Sequence, residues 1–524
     1  MKQLSDIDAF FLHGETPKQP MNLSGVGIYD PATRGKTRIT FADVLRYGAE
    51  RSRRSPLFRR RLVKTPWLND HPYWAEDSDF DIRNHVFHLT LDKPGTREKL
   101  DDAVAHIHSR VVDREGPLWE WWFIDGLDGM AEIPKGSFAL LFKLHHAAFD
   151  GVAAWEVINV SHDLGPGHHD DVMAKTKAPT ASSSAPSRLG LALNAYKRAL
   201  RAPFSLAKIA WDSMPIARKL ITNKLNEFPL HAKRAPKTPF NAPLGTRRNH
   251  RKVNARMADV KAIRQLVPGA TVNDVVLAII GGALRQYLNA KGGLPDKSLN
   301  VGMPVSIRAK GDAGDAGNQA MLAIVQLGTD IADPIERLRS IHHWTTTKKD
   351  YVNAIPSSVM MDMFEHVPGI VMRAAVKAFT GLKAARVIRL PYNLVVTNVP
   401  ASRVPIYFAG ARMIEYDACG PLWDGVGLIH VTTSYLDVLH FSFNADADLL
   451  PDPDQYADLL RASLEEMSQL ASSLSDVPRS NANTGGAKAL SSPKAIAGKK
   501  ATAGKKTIAR KKAAVGAKAG VSKN

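Results

Sequence analysis

Residues 143 to 151 read KLHHAAFDG, and four of them, His145, His146, Asp150 and Gly151, have the side chains or backbone freedom that proton-transfer chemistry uses. A histidine takes up and returns a proton near neutral pH, because the ordinary imidazole pKa is about 6.5. An aspartate stays ionised there and, if buried, needs a cationic or multi-donor partner. A glycine takes a positive φ or lets another backbone come close. The apolar run Phe138 to Leu144 before the motif has the length of a buried strand, and helical spacing resumes from Val152. The four residues therefore lie on a strand-to-helix turn. Adjacent strand side chains point to opposite faces, so one histidine packs inward while the other faces a solvent channel.

The chain offers that histidine no obvious side-chain nucleophile. It has no G-x-S-x-G elbow, and its single cysteine, Cys419, is not near an activating motif. Walker A is absent, and GVGIYD stops short of a dinucleotide fingerprint. The simplest remaining chemistry is general-base activation of a substrate's own hydroxyl or amine, without a covalent enzyme intermediate. Taken alone, a histidine and an aspartate at a turn also make an ordinary hydrogen-bonded structural pair.

The elements around the turn form two blocks. In residues 1–165, ITFADVLRYGAERS and REKLDDAVAHIHSRVV have helical spacing, and LWEWWFIDGL and SFALLFKL read as strands. Residues 166–250 read as a linker with basic amphipathic helices: Leu189, Leu193, Tyr196 and Leu200 share a face, with Lys197, Arg198 and Arg201 off it. The cluster His168, His169, Asp170 and Asp171 lies in the loop-like part, where neighbours rarely converge on one metal ion. Residues 251–476 contain the apolar helix ATVNDVVLAIIGGALRQYL, several strands and a closing amphipathic helix. Two comparable α/β blocks are expected. Residues 477–524, rich in Lys and Ala, cannot bury enough surface to fold alone and are expected to be disordered.

Composition narrows the functional classes. The chain has 524 residues, 44% hydrophobic and 23% charged, enough for more than one core. One cysteine allows no internal disulfide and no thiolate cage. There is no long apolar h-region near the start, and the longest apolar run, Val275 to Leu284, is half a membrane span. A cytoplasmic protein, peripheral at a membrane or lipid-inclusion surface, fits. The net charge is +19, but the last 48 residues carry twelve Lys and Arg and no acid, leaving +7 for the rest. Anionic partners, a lipid surface or nucleic acid, are thus expected of the tail before the body.

The motif HHAAFDG resembles the HHxxxDG signature of the CoA-dependent acyltransferase superfamily, which includes chloramphenicol acetyltransferases and condensation domains. The chain is more closely similar to bacterial wax ester synthase/diacylglycerol acyltransferases. The resemblance runs in order through LSDIDAFFLHGETPKQPM, PLW, HHAAFDG, TVNDVVLA, MPVSIR, GNQ, NLVVTNVP and YFAGARMIEYDACGPLWDGVGL, spanning about residues 4 to 475.

The resemblance implies an α/β, two-lobed, chloramphenicol-acetyltransferase-like fold of mixed sheets and helices with a channel between the lobes. It implies that His146 is the base, that His145 packs or positions, and that Asp150, with Gly151, holds the turn. Arg308 is the candidate partner of Asp150. Asn273 would sit near the reacting centre and Asp274 would brace it, although both residue types also serve helix N-termini; the oxyanion donor is Asn273 or a backbone N–H. Pro117, Leu118 and Trp119 either line the acyl path or are core. Acyl-CoA and a long-chain alcohol or diacylglycerol are the implied substrates, with no metal and no cofactor. Where the family commonly has a histidine this chain has Asn22, and the basic tail has no counterpart in the family pattern. The alternatives are a condensation-type enzyme acting on another alcohol or amine, and a nonenzymatic lipid- or nucleic-acid-binding protein.

Overall fold

The computed structural model describes residues 3–35, 38–63, 71–149, 151–167, 235–306, 320–352, 369–387 and 390–475. The strands are β1 (Asn22–Asp30), β2 (Arg60–Val63), β3 (Tyr73–Glu76), β4 (Val86–Thr90), β5 (Trp119–Asp125), β6 (Phe138–His145), β7 (Arg248–Arg256), β8 (Asn300–Ser306), β9 (Ala320–Gln326), β10 (Leu394–Pro400), β11 (Tyr407–Phe408), β12 (Ala411–Cys419), β13 (Leu428–Tyr435) and β14 (Val438–Asp446). They form two six-stranded sheets, in the orders β11-β12-β1-β6-β5-β4 and β7-β14-β13-β10-β8-β9, and a small β2-β3 hairpin. Both large sheets are mixed: β4 runs parallel to β5, and β10 runs parallel to β8 and β13. Among the described residues no helix is long and apolar enough to cross a membrane.

The strand FALLFKLH owes its central place in the first sheet to its composition. Every residue of β6 is buried, as a continuous apolar run covered on both faces must be. Of its two polar residues, Lys143 is 1% exposed and paired with Glu120 at 3.2 Å, and His145 ends the strand. Beside it, β1 has Gly25 and Gly27 because large side chains cross there; a Cβ on Gly25 would fall 2.6 Å from the Tyr416 hydroxyl. In the second half, the helix Val272–Ala290 begins in a capping box between Thr271 and Asp274 and is buried along most of its length. It packs against the helix Pro453–Ser475, close enough that a Cβ on Gly282 would lie 2.3 Å from Ser463 Oγ.

Two of the expected domain limits need correction. The block 251–476 does not keep its strands together, because β11 and β12 join the first sheet, with β12 antiparallel to β1 from Ser24↔Cys419 to Asp30↔Arg412. This pairing joins segments far apart in the chain, which local periodicity does not register. The second half also begins before residue 251. Residues 235–247 already pack on it, with Phe240 fully buried in its core and Asn241 bonded to Asn393. The basic segment Arg188 to Lys224, the cluster His168 to Asp171 and the tail from residue 477 lie outside the described residues.

Where β12 meets β7, charged side chains from the two sheets interlock. Lys252 lies 2.6 Å from Asp417 and 2.7 Å from Glu415, and Arg97 reaches Glu415 at 3.0 Å. Asp101 is buried beside this cluster. Burial is the largest influence on it and pushes its carboxyl up to about 6, although His250 and Lys252 nearby favour the ion. His108 crosses between the halves as a neutral ring. Its Nδ1 lies 2.8 Å from Ser24 Oγ, and its Nε2 lies 3.1 Å from the Gly420 carbonyl.

Candidate active site

The histidine pair sits where the β6 ladder runs out. His145 is the last strand residue, opposite Asn22 of β1, and its N–H donates to the Leu118 carbonyl at 3.0 Å. The His146 N–H donates to the Met21 carbonyl at 2.8 Å. The chain then turns sharply: the His145 carbonyl accepts from Ala148 N–H at 2.9 Å and Phe149 N–H at 3.2 Å, and the helix Gly151–Ser161 follows. The strand-to-helix turn read from the sequence is therefore present.

The two imidazoles have different surroundings. His145 is fully buried. Its Nδ1 accepts the Ala147 N–H at 3.0 Å, which places the ring proton of the neutral form on Nε2. That nitrogen faces Glu15 Oε2 at 3.2 Å, close but off-line for a straight hydrogen bond. Glu15 also accepts from Arg114 at 2.6 Å and from the Met21 N–H at 3.0 Å. Burial raises its pKa, but His145, Arg114 and the Met21 amide outweigh that and hold the carboxyl at about 2. His146 is only half-buried, and the Phe11 ring lies flat on it, with centroids 3.7 Å apart and planes 9° from parallel. Such a stack fixes the imidazole plane and leaves its nitrogen edge uncovered by that ring.

A second cluster lies at the start of the helix Val272–Ala290. Asp274 is 1% exposed and joins two helices, its own and Pro334–Val352. It accepts the Thr271 N–H at 2.8 Å, the Thr345 hydroxyl at 2.8 Å, and lies 2.9 Å from Nδ1 of His342. One carboxylate thus caps its own helix and ties it to the helix carrying His342 and Thr345. Its neighbour Asn273 is exposed, and its Oδ1 accepts from Asn398 Nδ2 at 2.6 Å, which leaves the Asn273 amide N–H groups to donate elsewhere.

The remaining expected residues divide cleanly. Pro117, Leu118 and Trp119 are buried; Trp119 is fully covered, donates through Nε1 to the Phe58 carbonyl at 2.9 Å and stacks on His85. Together they form the rigid wall behind the turn. Asn22, at the position where a histidine is common, anchors β1 by donating to the His108 and Arg110 carbonyls. Asp150 and Arg308 lie outside the described residues, and so does their expected pairing. Gly151 opens the helix after the turn. Sequence reasoning did not single out Phe11, Glu15, Arg114, Asn398, His342 or Thr345. Phe11 and Glu15 are four residues apart, a spacing that places both on one side of a helix end, and that is the one local signal. The others reach their partners only through the tertiary fold.

Two mixed sheets with a histidine pair on the turn leaving a central strand define the class of this protein as an acyltransferase. The chain belongs to the wax ester synthase/diacylglycerol acyltransferase family: the model of the family's catalytic domain matches residues 4–276, and that of its C-terminal domain matches residues 316–468. A Mycobacterium tuberculosis protein bearing the name of a diacylglycerol O-acyltransferase is 32% identical over 470 residues, 89% of this chain and 90% of its own length. A second from the same organism, similarly named, is 29% identical over 88% of this chain and 99% of its own length. Among solved structures, the wax ester synthase/diacylglycerol acyltransferase from Marinobacter aquaeolei VT8 superposes with a TM-score of 0.63 at 25% identity, covering 90% of this chain and all of its own.

Proposed function

We propose that this acyltransferase moves a fatty acyl group from acyl-CoA to the hydroxyl of diacylglycerol or a long-chain alcohol, with His146 as general base and no metal or redox cofactor. The observation that carries this reading is the unequal setting of the two histidines. His145 is fully buried, with Ala147 N–H on its Nδ1 and Glu15 beside its Nε2, whereas His146 is half-buried with its plane held by Phe11. The partial exposure of His146 supports its exchanging a proton with a bound substrate.

In the proposed reaction the acceptor hydroxyl oxygen attacks the thioester carbonyl carbon while its proton passes to His146. An imidazole of ordinary pKa, about 6.5, is far too weak to ionise an alcohol beforehand, so proton transfer accompanies attack. The carbonyl oxygen becomes an oxyanion, for which the Asn273 amide, oriented through Asn398, is the candidate donor. The carbon–sulfur bond then breaks, and the imidazolium returns its proton to the departing sulfur. The products are the ester and free CoA. The relatives named as diacylglycerol O-acyltransferases support the acceptor class, and the name of the Marinobacter enzyme supports the alcohol as a second acceptor.

The test is incubation with radiolabelled acyl-CoA and, separately, diacylglycerol or fatty alcohol, with the neutral lipids resolved afterwards. Labelled triacylglycerol or wax ester from the wild type, and neither from His146→Ala, is the expected result. Undiminished product from His146→Ala would remove the general base from the mechanism. Transfer to neither acceptor would remove the substrate reading.

A further inference from the structure

The helix Gly369–Gly381 ends in a projection whose base is anchored and whose tips are bare. Leu382 N–H closes on the Ala378 carbonyl, and Lys383 then takes a left-handed φ of 50°, a conformation that glycine adopts more easily. A short 3-10 turn, Ala384–Arg386, follows. Its Ala385 is 6% exposed and packs over Gly425, where an added Cβ would come within 3.6 Å of it. By contrast Leu382 is 81% and Val387 83% exposed, above the other exposed large apolar side chains described. Among the described residues nothing covers these two aliphatic side chains.

The charge around the tips is of one sign. Lys377, Lys383 and Arg386 are exposed, and none has an acidic partner among the described residues. From residue 366 to residue 414 the chain has seven Lys and Arg and no Asp or Glu. The helix also packs against the helix Asp6–Gly14, on which Phe10 is 38% exposed and Phe11 lies on the His146 ring. The projection is therefore one helix away from the proposed base.

We infer that this projection docks the enzyme on an anionic lipid surface, Leu382 and Val387 entering the acyl boundary while Lys377, Lys383 and Arg386 meet the headgroups. Charge selects this occupant. A second copy meeting it through the same face would bring the same cations together, whereas an anionic surface is attracted. Apolar tips ringed by cations match the interface between lipid chains and anionic headgroups.

Flotation of the full-length chain with phosphatidylcholine vesicles, with or without phosphatidylglycerol, at low and high salt, tests this without any turnover. Salt screens attraction by basic segments elsewhere in the chain and leaves the apolar contribution. The wild type is expected to float with phosphatidylglycerol vesicles and to keep part of that binding at high salt. The double variant Leu382→Ser/Val387→Ser should lose the salt-resistant part roughly tenfold or more. The triple variant Lys377→Gln/Lys383→Gln/Arg386→Gln should lose roughly a hundredfold of the preference for phosphatidylglycerol, at about fivefold per cation. Unchanged melting checks that both variants fold, and retained transfer on detergent-dispersed substrate separates docking from catalysis. The docking role is overturned if the double variant floats like the wild type at high salt or if the wild type does not bind these vesicles. It is also overturned if sedimentation shows a dimer that the double variant abolishes, which makes the face a contact between copies.

Discussion

Glu15 and His145 face each other inside the first half, Oε2 to Nε2 at 3.2 Å, with side chains only 2% and 0% exposed. Around this contact the N-terminal segment is wrapped onto the histidine turn. Glu15 accepts from Met21 N–H, the Met21 carbonyl accepts from His146 N–H, and Arg114 ties Glu15 to the Leu12 carbonyl. His145 thus holds the turn, and His146 is carried on it.

From this division, His146→Ala should abolish acyl transfer with little change in melting, because its ring is half-buried. His145→Ala should retain measurable transfer but lose about 2–4 kcal/mol of stability, since it opens a cavity and strips the Glu15 carboxylate of one partner. Rates and denaturant midpoints measured on both variants decide it. Equal loss of activity with equal melting would merge the two roles.

Glu15 also sets an acid limit on stability. Its folded pKa is depressed to about 2 from an ordinary 4.5, so its stabilising effect is present above pH 4.5 and is lost as pH falls toward 2. Glu15→Gln should therefore cost roughly 2–3 kcal/mol at neutral pH, and the gap from wild type should close as pH falls from 4.5 toward 2. Urea unfolding across that range measures it; a gap independent of pH would mean that the carboxylate charge is not the source.

Asp101 has the opposite sign. Its folded pKa, raised to about 6 chiefly by burial, means that the folded state resists ionising it, so stability falls as pH rises from 3.8 to 6 and stays lower above. Asp101→Asn should raise stability at pH 7 by on the order of 2 kcal/mol and have little effect below pH 4. Thermal melts at the two pH values check this.

At the second cluster, Asp274 and Asn273 should separate structure from chemistry. Asp274→Ala removes a capping box and the contacts to His342 and Thr345, and should cost about 2–4 kcal/mol of stability. Asn273→Ala touches an exposed side chain and should leave melting almost unchanged, yet lower kcat by about a hundredfold if its amide meets the oxyanion. An Asn273→Ala enzyme with full kcat would return that residue to helix-end chemistry.

Local chemistry in the sequence determined much of this protein. The run FALLFKLH is long enough and apolar enough to be only a buried strand, Gly151 follows at a turn, and the alternation of strand side chains separates His145 from His146. The Thr271 and Asp274 spacing is that of a capped helix start. Each of these depends on residues a few positions apart, and so on forces that act within one element. Only the tertiary structure decided that β12 leaves its own half to pair with β1, because the pairing depends on two distant segments being brought side by side. It also decided that Glu15 closes on His145 across 130 residues of sequence and that His342 closes on Asp274 across 68. A carboxylate in a sequence looks the same whether it ends in water or against a buried imidazole; burial and the partner brought to it by the fold make the difference.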